Sequence, residues 1–180
     1  MTYIFSFSEV AHSGQSADVL KQLEAIFFSS SSRQQFNSET ERSQFRFKYL
    51  DWYRIHYPDL MYVVSNAQGE ILGYICGVPD TSEASDLFEM HPWFELLTTH
   101  FKIFPAHLHI NLSDAARGLG IGSRLIGIFE KCLKSRKISG VHLVTSPDAR
   151  NVGFYRKNGY TFEKVFHWKK AHMLFMGKHL

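Results

Sequence analysis

The chain has 180 residues, 44% of them hydrophobic and 21% charged, with a formal charge of +3. That length suits one domain, residues 1–180, with a core of its own, and the small charge without a Lys/Arg block argues against a nucleic-acid partner. No window approaches the ~18 consecutive apolar residues of a membrane span.

Further limits come from the termini and cysteines. The start, Met1 to Ser6, lacks the charged region and apolar run of a signal peptide. Cys76, on an expected strand, and Cys132, on a helix face, read as small core residues of a reducing compartment, so a cytoplasmic protein is expected. Sixteen phenylalanines predict a ring-rich core.

In chain order, Tyr3 to Phe7 alternates weakly and predicts a first strand. Ala17 to Ser30 carries Val19, Leu20, Leu23, Ile26 and Phe27, a helical stripe. The serines from 29 to 32 break it, and a mobile surface link runs to about Ser38. Glu39 to His56 predicts a second helix with Phe45, Tyr49, Trp52, Tyr53 and His56 on one face, stopped by Pro58. Leu60 to Ser65 and Glu70 to Val78 form a hairpin around the turn Asn66 to Gly69. Thr81 to about Phe101 predicts a helical insertion carrying Phe88, Trp93, Phe94, Leu96 and Leu97, interrupted near Pro92.

The stretch from Phe104 to Phe162 is the most informative. Ala106 to Leu112 alternates polar His107, His109 and Asn111 with Leu108, Ile110 and Leu112, the period of a strand. Ile121, Leu125, Ile128, Phe129, Cys132 and Leu133 mark one face of a helix running to about Lys134. Between them lies Arg117-Gly118-Leu119-Gly120-Ile121-Gly122. Strand, glycine loop and helix together make an anion cradle, because the first N–H groups of a helix lack acceptors. The glycine spacing fails the dinucleotide fingerprint, and no Gly-Lys pair makes a nucleotide-triphosphate loop. Val141 to Thr145 then reads as a buried strand, and Ser146 to Tyr160 as a cap, a short helix and a glycine stop.

The R-x-x-G-x-G loop at 117–122 resembles the acyl-CoA pyrophosphate loop of the GNAT N-acetyltransferases. Phe154-Tyr155 with Gly159-Tyr160 resembles the second motif of that family, in the right order. Tyr49-Leu50-Asp51, Gly73 to Gly77 with Asp80-Thr81, and Phe104 to Ile110 resemble bacterial members related to the acetyltransferase-like domain of bifunctional O-GlcNAcases. The resemblance implies an α/β fold: a mixed central sheet of six or seven strands, a splayed strand pair, and helices on both faces.

It also implies acetyl-CoA as co-substrate and a small-molecule or protein amine as acceptor. No metal is expected, because His107 and His109 flank Leu108 without a second pair of ligands at metal spacing, and charge and hydropathy lead to no nucleic-acid or membrane partner being expected. The chain is expected to be a monomer or homodimer. Backbone N–H groups from Arg117 through Gly118, Leu119, Gly120, Ile121 and Gly122 to Ser123 would hold the diphosphate, with Leu119 and Ile121 serving mainly in packing. The edge formed by Ile110, Asn111 and Leu112 would pair with the pantetheine arm. Tyr155 would protonate the departing sulfur, with Phe154 beside it filling the core. Where relatives carry an Asn for the pantetheine amide this chain has Asp148, and Asn151 is the alternative. Arg150, Arg156 and Lys157 would be the candidates to meet the adenosine phosphates, against the commoner role of a solvated surface charge.

The base is open between His107 and His109, with Glu89 and Asp80 as alternatives. The acceptor pocket is expected between the insertion and the N-terminal helices, near Trp52, Tyr53, Phe88 and Trp93. Three readings compete: an active N-acetyltransferase, an acyl-CoA-binding module without transfer, and an interaction protein that keeps only the fold.

Overall fold

The computed structural model describes residues 1–11, 16–31 and 33–180. Ser32, the last serine of the expected break, lies outside the described residues. The strands are β1 (Thr2–Ser6), β2 (Tyr62–Asn66), β3 (Ile71–Val78), β4 (Ala106–Leu112), β5 (Gly140–Thr145), β6 (Phe162–Trp168) and β7 (Ala171–His179). They hydrogen-bond in the order β1-β2-β3-β4-β5-β7-β6 as one seven-stranded sheet. The β4–β5 pair is parallel, whereas β1–β2, β2–β3, β5–β7 and β6–β7 are antiparallel. The sheet is therefore mixed, as expected. Contacts divide the chain into two units, Met1–Gly77 with His109–Phe129, and Val78–Leu108 with Glu130–Leu180.

The first unit holds α1 (Phe7–Ala11), α2 (Ser16–Ser30), α3 (Glu39–Arg46) and α4 (Trp52–His56). The stripe of α2 buries Val19, Leu23, Ile26 and Phe27, the spacing of one helical face. Phe7, expected at the end of the first strand, instead starts α1. Ser38 caps α3, its hydroxyl accepting from the Glu41 N–H at 3.1 Å. A π-helical stretch, Phe47–Asp51, joins α3 to α4. A π turn holds more residues than an α turn, which moves the buried face off the expected register. Leu50, Asp51, Trp52 and Tyr53 are buried, while His56 is exposed and stacks on Trp52 with ring centres 4.4 Å apart. The buried Asp51 carboxylate is paired, accepting from Arg46 Nε at 2.8 Å and from Arg54 Nε at 2.7 Å.

In the same unit β3 passes close to the end of β4. A Cβ on Gly73 would run into Leu112 Cδ2 and lie 2.7 Å from the Asn111 carbonyl oxygen. The Ser113 N–H donates to the Leu72 carbonyl at 2.9 Å. Only a residue without a side chain fits this approach.

The second unit holds α5 (Ser85–Met90), α6 (Thr98–Phe101) and α8 (Val152–Lys157), with short 3₁₀ turns at Thr81–Glu83 and Pro92–Leu97. The insertion is thus helical and broken at Pro92, as its sequence predicts. Its core is a stack of rings. His142 lies nearly parallel to Phe101, Phe175 and His107, with centres 4.8, 4.8 and 5.1 Å away. Its Nδ1 is 2.6 Å from the Phe104 carbonyl oxygen. A second buried polar group, Glu130, is held by Lys178 Nζ at 2.7 and 2.8 Å and by the Tyr160 hydroxyl at 3.2 Å. β5 pairs with β7 along its whole length, but its registered pairs with β4 are Ala106↔Val141 and His107↔His142. That early end to the parallel pairing is the form taken by the expected splay. A parallel pair needs a long crossover, and the glycine loop with α7 (Ile121–Ser135) supplies it.

Gly73→Ala should lower the unfolding free energy by about 1–3 kcal/mol, because the methyl group overpacks the β3–β4 approach. Urea unfolding of the variant beside the parent protein measures this. An unchanged midpoint would mean that the strands can separate there without loss.

Candidate functional site

The glycine loop follows β4 through a single 3₁₀ turn, Asp114–Ala116. Gly118 and Gly120 have φ of +76° and +74°, the left-handed region where a side chain is strained. A Cβ at either position would meet nothing within 4 Å. These glycines therefore do not serve close packing; the backbone path itself requires them. Arg117 N–H donates to Asp114, and the next main-chain bond in the segment is Arg124 N–H to the Gly120 carbonyl at 3.2 Å. Among the described residues, the amides from Gly118 to Ser123 have no acceptor within the protein. They stand where the dipole of α7 adds positive potential. The first turn of α7 carries no acidic side chain to oppose an anion.

Side chains around the loop depart in part from expectation. Leu119 is 68% exposed, so the packing role expected for it does not hold, whereas Ile121 is buried as expected. The Arg117 guanidinium is exposed and ion-paired with Asp114. Asn111, on β4, donates through Nδ2 to the Tyr74 hydroxyl at 2.7 Å. Ile110 and Leu112 are half-buried.

His109 belongs to the first unit. Its Nε2 is 3.0 Å from the Tyr53 hydroxyl, and its ring meets Tyr49 and Tyr53 edge-on at 5.7 and 4.9 Å. Burial lowers its pKa to about 4, so the ring is neutral at pH 7 but weakly basic. The same cause pushes the Tyr53 phenol well up.

His107 belongs to the second unit and sits in its ring core, 1% exposed, stacked on His142 and edge-on to Phe94 at 5.6 Å. This is a packing position. With its ring inside the core, His107 is placed for packing and not for taking a proton from an incoming amine. Of the alternatives, Asp80 caps the Ser82 N–H at 2.8 Å, and Glu89 is exposed.

Tyr155 lies on α8 in the second unit. It is 5% exposed and packs against Tyr160 and Phe154, with centres 5.8 and 5.3 Å away. Phe154 is only half-buried, so the expected exchange of roles is reversed: the tyrosine fills the core position. Burial pushes its phenol up, which keeps it protonated at neutral pH. Asp148 is exposed, and Asn151 accepts through Oδ1 from the Thr145 hydroxyl at 3.1 Å. Arg156 is bound by Glu163 at 2.6 and 2.9 Å.

Comparison with known proteins gives the same direction. The model of the acetyltransferase (GNAT) family matches residues 23–160. Among solved structures, the chain is similar to SsHAT at 19% identity and a TM-score of 0.73, covering 99% of this chain and 98% of that one. It is similar to Ard1 from Thermoplasma volcanium at 17% identity and 0.63, covering 99% and 97%. It is also similar to the PaiA N-acetyltransferase from Thermoplasma acidophilum, solved with coenzyme A, at 16% and 0.61, covering 100% and 99%. At these identities the structural likeness speaks for the fold.

Between pH ~6.5 and about 4 an unfolded chain protonates at His109 while the folded chain does not. Stability should therefore fall as pH drops through that window. His109→Gln, which keeps a polar group for Tyr53, should flatten this part of the profile. Urea midpoints at several pH values test this; a slope unchanged by the substitution would place the titration elsewhere.

Proposed function

Because the chain belongs to the GNAT family of acetyltransferases, we propose that it transfers the acetyl group of acetyl-CoA to an amine by direct attack. The observation that carries this reading is the run of unbonded amides from Gly118 to Ser123 at the head of α7, kept open by two left-handed glycines. Six consecutive donors of this kind fit a diphosphate better than a single anion.

In the reaction, the amine lone pair attacks the thioester carbonyl carbon, a C–N bond forms, and the C–S bond breaks. The amine loses a proton and the sulfur gains one. Tyr155, neutral at pH 7, is proposed as the donor to the departing sulfur. No side chain is assigned as base: a histidine with a pKa of about 4 is a poor acceptor for an ammonium proton, so the acceptor is proposed to arrive as the free amine. The main chain of Ile110 to Leu112 is proposed to bind the pantetheine arm. Among the described residues the Asn151 side chain is bonded through its oxygen to the Thr145 hydroxyl, and its amide N–H groups are proposed as donors to the pantetheine amide. Arg117 would have to leave Asp114 to add its charge to the diphosphate.

Burial of Tyr155 supports a second reading, an acyl-CoA-binding module without transfer. The segments 49–51, 73–77 and 104–110 support a finer placement among the bacterial members related to the acetyltransferase-like domain of bifunctional O-GlcNAcases. The free thiols Cys76 and Cys132 support a reducing compartment, and among the described residues no helix is long and apolar enough to cross a membrane.

Thiol release from acetyl-CoA, measured across a panel of small amines and peptides, tests the proposal. Turnover above the hydrolysis background is expected, and binding without any turnover would leave the module reading. Tyr155→Phe should lower kcat about 100-fold with acetyl-CoA affinity nearly unchanged, the mark of a proton donor. Equal loss of both would make Tyr155 a packing residue.

A further inference from the structure

Among the described residues, the outer edge of β6 has no strand beside it. β6 ends the strand order, and its pairs with β7 run without a bulge from Phe162↔Gly177 to Trp168↔Ala171. The turn of Lys169 and Lys170 closes this hairpin, which makes Trp168↔Ala171 a hydrogen-bonded pair. Alternation along an antiparallel ladder then makes Phe166, Lys164 and Phe162 bonded positions as well. The N–H and C=O groups of Glu163, Val165 and His167 are left facing outward. Edge strands are commonly guarded by proline, a bulge, short length or charge. β6 has seven residues with neither proline nor bulge, and Val165 at its centre is 51% exposed.

This edge is complementary to itself. When it is laid antiparallel on its own copy about Val165, Glu163 meets His167 twice and Val165 meets Val165, all as hydrogen-bonded pairs. Phe162 then meets Trp168, and Lys164 lays its stem against Phe166. Carboxylate faces imidazole, ring faces ring, and no like charges are opposed. Moving the axis to Lys164 would set lysine against lysine, and moving it to Glu163 would set carboxylate against carboxylate. Charge disfavours both of those registers, and the axis at Val165 is the one that opposes Glu163 and His167 twice. Glu163 is already fixed by Arg156, which limits the side-chain entropy lost on pairing.

We propose that β6 pairs antiparallel with β6 of a second copy of this chain, forming a homodimer through one continued sheet. Sedimentation equilibrium of the full chain, carried to high micromolar concentration, should show a concentration-dependent dimer. Val165→Pro removes an outward N–H that the hairpin does not use. Val165→Lys sets two ammonium groups face to face without touching the ladder. Each should weaken the dimer by about tenfold or more, with unchanged circular dichroism. If the proline variant loses structure, the lysine variant decides. His167→Glu should weaken the dimer, and adding Glu163→His should restore it, because the swap rebuilds the opposed pair. A monomer at every concentration would overturn the proposal. So would a dimer that both Val165 variants leave intact, or a monomer whose β6 edge takes up an extended peptide instead.

Discussion

The chemistry proposed for this molecule depends on hydrogen bonds that the protein does not make to itself. Among the described residues, the main chain from Gly118 to Ser123 presents donors without acceptors, and it can do so because Gly118 and Gly120 occupy left-handed conformations in open space. Unbonded amides are tolerable only in contact with water or with an anion. Helix geometry leaves them free, and the absence of an acidic residue in the first turn of α7 leaves no internal carboxylate to occupy them. The approach of β3 to β4 at Gly73 belongs to the same unit and fixes the end of the strand that leads into this loop.

The second unit meets a different demand. It buries His142 and His107 within phenylalanine rings and holds Glu130 in a closed network with Lys178 and Tyr160. Tyr155 belongs to that packed interior. Burial raises its pKa, which keeps the proton on the phenol but also makes it a weaker acid. In the proposed reaction this phenol would donate its hydrogen bond to the departing sulfur. The same trade applies to His109, whose burial keeps the ring neutral and removes most of its basicity.

Much of this organisation is legible from local sequence. The alternation at 106–112 marks β4 from end to end, and the glycine loop, α7 and the proline break in the insertion follow short-range rules. Tertiary packing decides the remainder. Nothing local announces the π-helical stretch at Phe47–Asp51, which turns Leu50 and Asp51 inward and His56 outward. Phe154 and Tyr155 are neighbours on one short helix, and only the surrounding core determines which of them is covered. The alternation at His107 and His109 is real, yet their environments differ: one ring stacks inside the second unit, and the other bonds to Tyr53 in the first. The placement of β7 between β5 and β6 is a long-range pairing that no window of sequence contains.

The central claim is that the amides at the head of α7 grip the diphosphate of coenzyme A. Amide resonances followed by two-dimensional NMR, as acetyl-CoA is added to labelled protein, test it most directly. The account predicts that the signals of Gly118 to Ser123 shift together and saturate along one binding curve. If those signals stay fixed while acetyl-CoA binds elsewhere, or if nothing binds, the account is contradicted.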